Sequence, residues 1–404
     1  MQNKKVWLVV AVAALGYFVD IYDLLLFSIV RVASLKSLGV PDADLLDKGV
    51  LLINCQMAGL LLGGILWGIL GDKKGRLSVL FGSIFLYSIA NGLNGWVQTV
   101  EQYAILRFIA GIGLAGELGA GITLVSELMP KHSRGYGTTI VASFGILGAV
   151  AAALVGDMFD WRIAYFIGGG MGLCLLLLRV GLSESGIFDQ MKQSKIKTGN
   201  FLALFRPRYF LKYLSVIVIG IPIWYTIGIL ITFSPEFGRS FNMTEIPSAS
   251  KAVMFSYLAL SLGDLCSGLI SQWVKNRKKV ILGFIILLGS VTCFYFVYAR
   301  QSLTMYYIAC GLLGFASGYW ALFVTIASEQ FGTNIRATVT TTAPNFVRGS
   351  VIPLTLSFQA LNPVMGLQQS AMIVGAVCLV FAVVALYQLD ETFSRDLNFN
   401  ENYL

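Results

Sequence analysis

Six ionisable side chains of this chain fall inside long apolar segments, where an isolated charge is expensive. They are Asp20, Asp23, Arg107, Glu117, Asp264 and Arg348. On membrane-insertion scales an acid or base at the centre of a helix costs at least ~2.5–3.5 kcal/mol. A helix therefore keeps such a group only where a partner or a function compensates. These six residues are the first candidates for binding and proton chemistry.

Asp20 and Asp23 lie three residues apart, on one face of the first apolar segment. Asp23 and Arg107 lie at comparable depth from the outer ends of their segments. Burial favours the neutral form of a carboxyl group and a nearby arginine favours the charged form. An arginine that moves would therefore make the carboxylate bind and release a proton. We predict that Asp23 carries a coupled proton under control of Arg107; a static ion pair is the alternative.

Two further acids belong to the same first half of the chain. Asp20 is an extra acid at about mid-depth, and Glu117 lies near the middle of the fourth apolar segment. We expect Glu117 to form a second proton position together with Asp20. The alternative is a protonated glutamic acid that is hydrogen-bonded to a neighbouring backbone group.

The eleventh apolar segment carries a regular polar stripe. Its members recur at steps of four and three, which places them on one helical face: Thr341, Asn345, Arg348, Ile352, Thr355 and Gln359. A polar stripe within a membrane must face a cavity. Arg348 is a forked cation suited to a carboxylate or a phosphate, so we predict that it binds an anionic substrate group. The alternative is an ion pair with Asp264.

Other second-half residues are predicted to contact the substrate. Asn345 and Gln359 share the stripe with Arg348, and three aromatic residues, Tyr225, Tyr319 and Trp320, could line the site through ring and hydroxyl contacts. The alternative for each aromatic residue is packing within the helix bundle.

The composition explains why these groups are conspicuous. Hydrophobic residues make up 56% of the chain and charged residues 12%, against about 25% charged residues in soluble domains. A membrane-spanning helix needs ~20 apolar residues, and its backbone must satisfy its own hydrogen bonds. The sequence therefore predicts an all-α membrane protein with twelve transmembrane helices. Their approximate ranges are 6–30, 48–70, 78–99, 103–126, 136–157, 161–182, 211–234, 252–274, 280–299, 303–327, 338–360 and 368–389.

The chain also repeats itself at half its length. The segment 126–135 reappears at 328–337, with Ser, Glu and Arg at the same spacing. An internal repeat of this kind indicates a duplicated helix bundle. A binding site is then expected at the interface between the two halves, which we call the seam. We predict two pseudo-symmetric six-helix bundles, at 1–182 and 211–390. A linker at 183–210 and a tail at 391–404 would both be cytoplasmic.

The net charge of +8 does not indicate a nucleic-acid partner, because the basic residues sort to the loops of one side. Both termini are therefore expected in the cytoplasm. Arg179 is assigned to the cytoplasmic loops and Arg31 to an outer loop. The single histidine, His132, lies in a basic loop, so we expect no catalytic nucleophile–base pair and no enzyme activity.

Two loop motifs carry a family resemblance. Residues 68–76 read GILGDKKGR, and residues 107–117 read RFIAGIGLAGE. Glu184-Ser185 and Glu391-Thr392 follow the sixth and twelfth segments. The chain resembles the major facilitator superfamily, and within it the metabolite:proton symporter and sugar-porter-like branches. That resemblance implies two bundles that rock about a central cavity, with Tyr22-Asp23 coupled to Arg107.

The resemblance also implies a gate on the cytoplasmic side. Gly68, Asp72, Gly75 and Arg76 would form a latch between helices. The corresponding loop of the second half lacks the acid, so its latch should be weaker. Two acid–base sets would hold the inner gate shut by salt bridges: Glu127, Arg134, Glu329 and Arg336. The alternative is surface ion pairs worth only ~0–1 kcal/mol each.

The expected function is proton-coupled symport of a small polar metabolite, an organic acid or a zwitterion, by alternating access. A proton-antiport exporter of drugs, amines or metal ions is the alternative. We expect no cofactor beyond the proton gradient, no bound metal and a monomer. The expected partners are a small-molecule or ion substrate and the lipid of a bacterial inner membrane.

Overall fold

The computed structural model describes residues 2–129, 134–179 and 201–393. Regular secondary structure in these ranges is helical throughout. Seven α-helices form the described part of the first half. They are α1 (Gln2–Ser37), α2 (Leu45–Lys74), α3 (Arg76–Asn94), α4 (Val100–Leu114), α5 (Glu117–Leu128), α6 (Arg134–Met158) and α7 (Trp161–Leu178).

The second half has the same character. Its α-helices are α8 (Pro207–Tyr225), α9 (Ser234–Ser240), α10 (Ala249–Val274), α11 (Arg277–Tyr298), α12 (Leu303–Ala316), α13 (Trp320–Glu329), α14 (Thr333–Gly349), α15 (Val351–Met365) and α16 (Leu367–Gln388). A π-helical segment, Thr226–Ile231, follows α8. Short 3₁₀ helices occupy Asp42–Asp44, Phe201–Phe205 and Ala299–Gln301.

Within the described residues, 11 helical segments are long and apolar enough to cross a membrane. The remaining predicted span, 338–360, which is the eleventh along the chain, is present as two helices, α14 and α15, which meet at Ser350. Pro353 has no N–H to donate to the Gly349 carbonyl, so the backbone ladder loses a hydrogen bond at this junction. The predicted span is therefore helical, with an interruption at Ser350 that was not predicted.

Matching helix breaks confirm the duplication. α4 ends at Leu114 and α12 ends at Ala316, which is 202 residues later. A new helix begins a few residues beyond each break, α5 at Glu117 and α13 at Trp320. Such breaks free backbone groups inside the bundle, which side chains can then use.

Glycines allow the closest helix contacts. A Cβ added to Gly111 of α4 would collide with the carbonyl oxygen of Gln56 in α2, and one added to Gly59 would collide with that of Phe108. Small residues at such positions let two backbones approach within a membrane. This contact fixes α4, which carries Arg107, firmly against α2.

Polar contacts join the two halves at the end of the seam that holds the C-terminus of α1. Arg31 of α1 donates to both carboxylate oxygens of Glu236 in α9, each at 2.7 Å. Both side chains are buried. The assignment of Arg31 to an outer loop is therefore wrong: it is a helical residue whose acid partner comes from the other half.

Candidate functional site

The centre of the seam holds a buried ion pair between the halves. Nη2 of Arg348 in α14 lies 3.6 Å from Oδ2 of Asp20 in α1, and both side chains are at most 1% exposed. The predicted alternative partner of Arg348, Asp264, makes no ion pair with it. That alternative is wrong because the packing of α14 brings Arg348 against α1 of the first half.

Two tryptophans border the guanidinium group. The Arg348 Cζ atom lies 5.9 Å from the ring centroid of Trp224 and 6.0 Å from that of Trp320. The two indoles meet edge to face, with centroids 6.5 Å apart. Cation–π attraction of this kind stabilises an arginine away from water. The aromatic pair gives the site flat, apolar walls beside its positive charge.

The other two predicted aromatic residues are placed differently. The Tyr225 hydroxyl donates to the Ala371 carbonyl of α16 at 2.8 Å, and the Tyr319 hydroxyl donates to the Ile219 carbonyl of α8 at 3.1 Å. Their roles in substrate binding stay predictions. Trp224, next to Tyr225, was missed as a site residue, although it lies 202 residues after Tyr22 and so occupies an equivalent level.

Several polar atoms at this site lack partners. Nε and Nη1 of Arg348 and both oxygens of Asp20 make no hydrogen bond within the described part of the chain. One oxygen of Asp264 accepts from the backbone N–H of Ala321 at 3.1 Å, and the other has no hydrogen-bond partner there. Leaving a buried polar group unsatisfied costs about 1–3 kcal/mol. The arrangement is therefore suited to accept a further charged or hydrogen-bonding molecule.

The remaining members of the polar stripe connect the halves. Asn345 donates to the Ala115 carbonyl at 2.9 Å, a group exposed by the break after α4. Gln359 donates to the Asp47 carboxylate at 2.8 Å. The stripe thus faces the first half. Asn345, which precedes Arg348 in the chain, and Gln359, which follows it, both form hydrogen bonds across the seam.

Asp23 and Arg107 form a second buried group. The Arg107 guanidinium donates to the Gln56 side chain and lies over the ring of Phe27, 5.2 Å from its centroid. Asp23 is within electrostatic reach of Arg107, but it is not in direct contact with it. Neither oxygen of Asp23 has a hydrogen-bond partner among the residues that the structure describes. The alternative of a static ion pair between these two side chains is therefore wrong in this conformation.

Glu117 has a partner that the sequence did not indicate. Arg179, just beyond the end of α7, forms a buried ion pair with it, and Arg179 Nη1 donates to Glu117 Oε2 at 3.1 Å. Gly16 of α1 leaves the space that this pair occupies. The assignment of Arg179 to the cytoplasmic loops is wrong, as is a purely backbone-bonded Glu117. Arg179 directly follows an apolar run, and nothing in that run shows that the side chain turns inward.

The predicted gate residues are described in part. Gly75, with φ of 100°, forms the turn between α2 and α3. A Cβ at Gly68 would lie near Thr341 and Thr342 of the other half. Five predicted gate side chains lie outside the described side chains: Asp72, Arg76, Glu127, Arg134 and Arg336. Their roles stay predictions.

The second half has its own acid–base cluster at the corresponding loop. Glu329 pairs with Arg277 at 2.8 Å. Glu391 accepts hydrogen bonds from the backbone N–H groups of Arg277 and Lys278 at 3.0 Å, at the start of α11. Burial alone would raise the pKa of Glu391, but hydrogen bonds from these and two neighbouring N–H groups hold it below its usual range. Glu391 thus supplies an acid to a loop that has none of its own.

Comparison with known proteins supports a transport function. The family model of the Major Facilitator Superfamily matches residues 6–355. A putative niacin/nicotinamide transporter of Bacillus subtilis is 27% identical over 83% of this chain and 84% of its own length. The benzoate transport protein of Acinetobacter baylyi is 24% identical over 82% of this chain and 78% of its own.

Solved structures have the same fold. The crystal structure of a D-xylose–proton symporter superposes with a TM-score of 0.72 at 18% identity, covering 97% of this chain and 99% of that one. The inward-open xylose transporter of Escherichia coli gives 0.73 at 18% identity, covering 97% and 98%. A family match across most of the chain, a helical architecture with 11 candidate membrane spans in the described residues, and a charged site at the seam agree with one another. The chain therefore belongs to the Major Facilitator Superfamily and is an integral membrane transporter.

Proposed function

We propose that this transporter moves a small organic acid together with protons, and that the carboxylate of the solute binds Arg348. One observation carries the proposal: the buried pair of Arg348 and Asp20 joins the two halves, and its polar atoms are mostly unpaired. A single guanidinium at the seam is suited to one carboxylate at a time. Asp20 is the carboxylate that pairs with Arg348 when no solute is bound.

Competition between the two carboxylates would couple solute to protons. When a solute carboxylate takes Arg348, Asp20 loses its counter-charge while it stays buried. An unpaired buried carboxylate is strongly disfavoured, so Asp20 takes up a proton. One proton then accompanies each solute anion. When the solute leaves, Asp20 releases the proton and returns to Arg348.

The shape of the site favours a solute with a ring. The indoles of Trp224 and Trp320 lie beside the guanidinium and can pack against a planar ring through offset or edge contacts. Relatives named for niacin/nicotinamide, benzoate and 4-methylmuconolactone transport support this choice. A flat carboxylate such as benzoate or nicotinate is therefore the first solute to test.

The experiment uses purified protein in liposomes, with labelled benzoate or nicotinate outside. We expect uptake above equilibrium when the outside is more acidic, and no accumulation without a pH difference. Asp20→Asn should abolish accumulation while solute exchange continues, because asparagine cannot take up the proton. Accumulation driven by the opposite gradient would identify the exporter instead. An Asp20→Asn variant that still concentrates solute would contradict the coupling step.

A further inference from the structure

Helix α3 carries a polar row that faces the acids of α1. Tyr87 and Asn91 are four residues apart and so share one face of the helix. Both side chains are buried. The Tyr87 hydroxyl and both polar atoms of the Asn91 amide have no hydrogen-bond partner in the part of the chain that the structure describes. Buried polar side chains seldom lack a hydrogen-bond partner.

The row lies near the buried acids of the first half. Tyr87 interacts electrostatically with Glu117, Asp23, Arg179 and Asp20. The Asn91 amide faces the Asp23 carboxylate, short of hydrogen-bond geometry. The charged groups near Tyr87 are Asp20, Asp23, Glu117 and Arg179. Arg107 acts on Asp23, and Arg348 of the other half acts on Asp20. The solute-binding indoles are on the other half.

We propose that Tyr87 and Asn91 hold internal water and form a relay that carries a proton between Asp23 and Asp20, inside the first half. A buried water needs two to four polar partners. The unpaired atoms of Tyr87, Asn91 and the two aspartates supply them. This relay rests on the proposed function, since it assigns a route to the proton that accompanies the solute.

The proton passes from Asp23 to Asp20 in one concerted exchange in which every bond that breaks is matched by one that forms. The O–H bond of protonated Asp23 breaks and its proton passes to a water molecule held by Asn91. That water gives a proton to the Tyr87 hydroxyl, which at the same time donates its own toward Asp20. An O–H bond forms on the Asp20 carboxylate. Asp23 ends charged and Asp20 ends neutral, and the water and Tyr87 are unchanged.

The test removes the hydroxyl and keeps the ring. Tyr87→Phe is compared with Tyr295→Phe, which removes an equally buried hydroxyl of the second half that bonds Tyr306 at 2.8 Å. For each variant three quantities are measured in liposomes or detergent: uptake driven by a pH gradient, solute counterflow at equal pH, and thermal stability. We expect Tyr87→Phe to slow gradient-driven uptake by about tenfold or more while counterflow stays within about twofold of the wild type.

The other outcomes are equally informative. If Tyr87→Phe slows both reactions alike, or slows neither, the relay is wrong. If Tyr295→Phe reproduces the selective loss, the effect does not belong to this row and the relay is also wrong. Asn91→Leu provides a second variant and should give the same selective loss. If the wild-type protein shows no gradient-driven uptake, the proposed function itself fails, and that result is separate from any effect of Tyr87.

Discussion

Arg348 and Asp20 illustrate how one residue pair can serve both folding and transport. Their charges compensate each other across the seam, so each keeps the other tolerable within a membrane. The same pairing makes the site available to a competitor with a better carboxylate geometry. Under the proposed function, solute binding and protein stability are linked at this position, and mutation can separate them.

Arg348→Ala should destabilise the protein, because it leaves Asp20 buried without a counter-charge. Removing one partner of a buried pair costs about 3–5 kcal/mol. The double variant Arg348→Ala/Asp20→Asn should regain most of this stability but should not regain solute binding. Thermal unfolding and ligand-induced thermal shifts measure the two effects separately. A double variant no more stable than the single one would show that the pair does not interact energetically.

Glu391 should make stability depend on pH at the loop of the second half that precedes α11. Its pKa is lower when folded than its ordinary value of 4.5. The stabilisation is therefore fully present above that value and is lost as the pH falls through the folded pKa. Melting temperatures between pH 7 and pH 3.5 should fall for the wild type. They should be lower at pH 7 and change less with pH for Glu391→Gln.

Asp42→Asn is the matched control for Glu391→Gln. The hydrogen bond and the charge of Lys36 likewise lower the pKa of Asp42, but the pair is exposed to solvent. Exposed ion pairs contribute little. Asp42→Asn should therefore leave the melting curve and its pH dependence almost unchanged, and an effect as large as that of Glu391→Gln would contradict this account.

The sequence identified the important residues more reliably than their partners. A charge within an apolar run is visible without a structure, and all six such residues are buried. Which acid pairs with which base depends on how the helices rotate and pack against one another. The sequence of a single helix does not determine this. Arg348 therefore received the wrong alternative partner, and the Glu117–Arg179 pair was not foreseen at all.

At the scale of helices, periodicity and repetition were strong signals. The four-and-three spacing predicted the face of the stripe that carries Arg348, and the 202-residue offset predicted the duplication. The matching breaks after α4 and α12 were not predicted. The interruption between α14 and α15 was not predicted, because the polar periodicity continues through it. A proline at Pro353 was the available signal for that junction.

Close packing of α2 on α4 can be tested with one methyl group. Gly111→Ala places a Cβ against the Gln56 carbonyl, so the two helices must separate. We expect lower thermal stability and weaker transport. Gly92→Ala on α3 is the control, since nothing lies within 4 Å of its added Cβ. That variant should be neutral or stabilising by up to about 1 kcal/mol. Equal losses from both variants would contradict the packing argument.

At the scale of the whole molecule, the Arg31–Glu236 pair holds the halves together at one end of the seam. Glu236→Gln removes the charge of one partner and leaves Arg31 buried without its counter-ion. We expect the populations to shift toward states in which this end is open. Spin labels on cysteines at Ala43 and Glu245, in a background without the six native cysteines, should report longer distances.

Lys36→Ala is the control for this measurement. Lys36 pairs with Asp42 at 2.8 Å within the first half, near the same end of the molecule. Losing it should leave the distance distribution as in the wild type, because no contact across the seam is lost. A distribution that does not change in Glu236→Gln either would show that this pair does not hold that end shut.

The Arg348–Asp20 pair has an electrical consequence. In the empty carrier the guanidinium is balanced by Asp20, and in the proposed loaded carrier it is balanced by the anion, while Asp20 is protonated. The site therefore carries no net charge when either the empty or the loaded carrier reorients, so a voltage across the membrane does no work on either step. Such a carrier is electroneutral: an imposed potassium diffusion potential should leave its accumulation ratio unaltered, and the difference in proton concentration alone should set it.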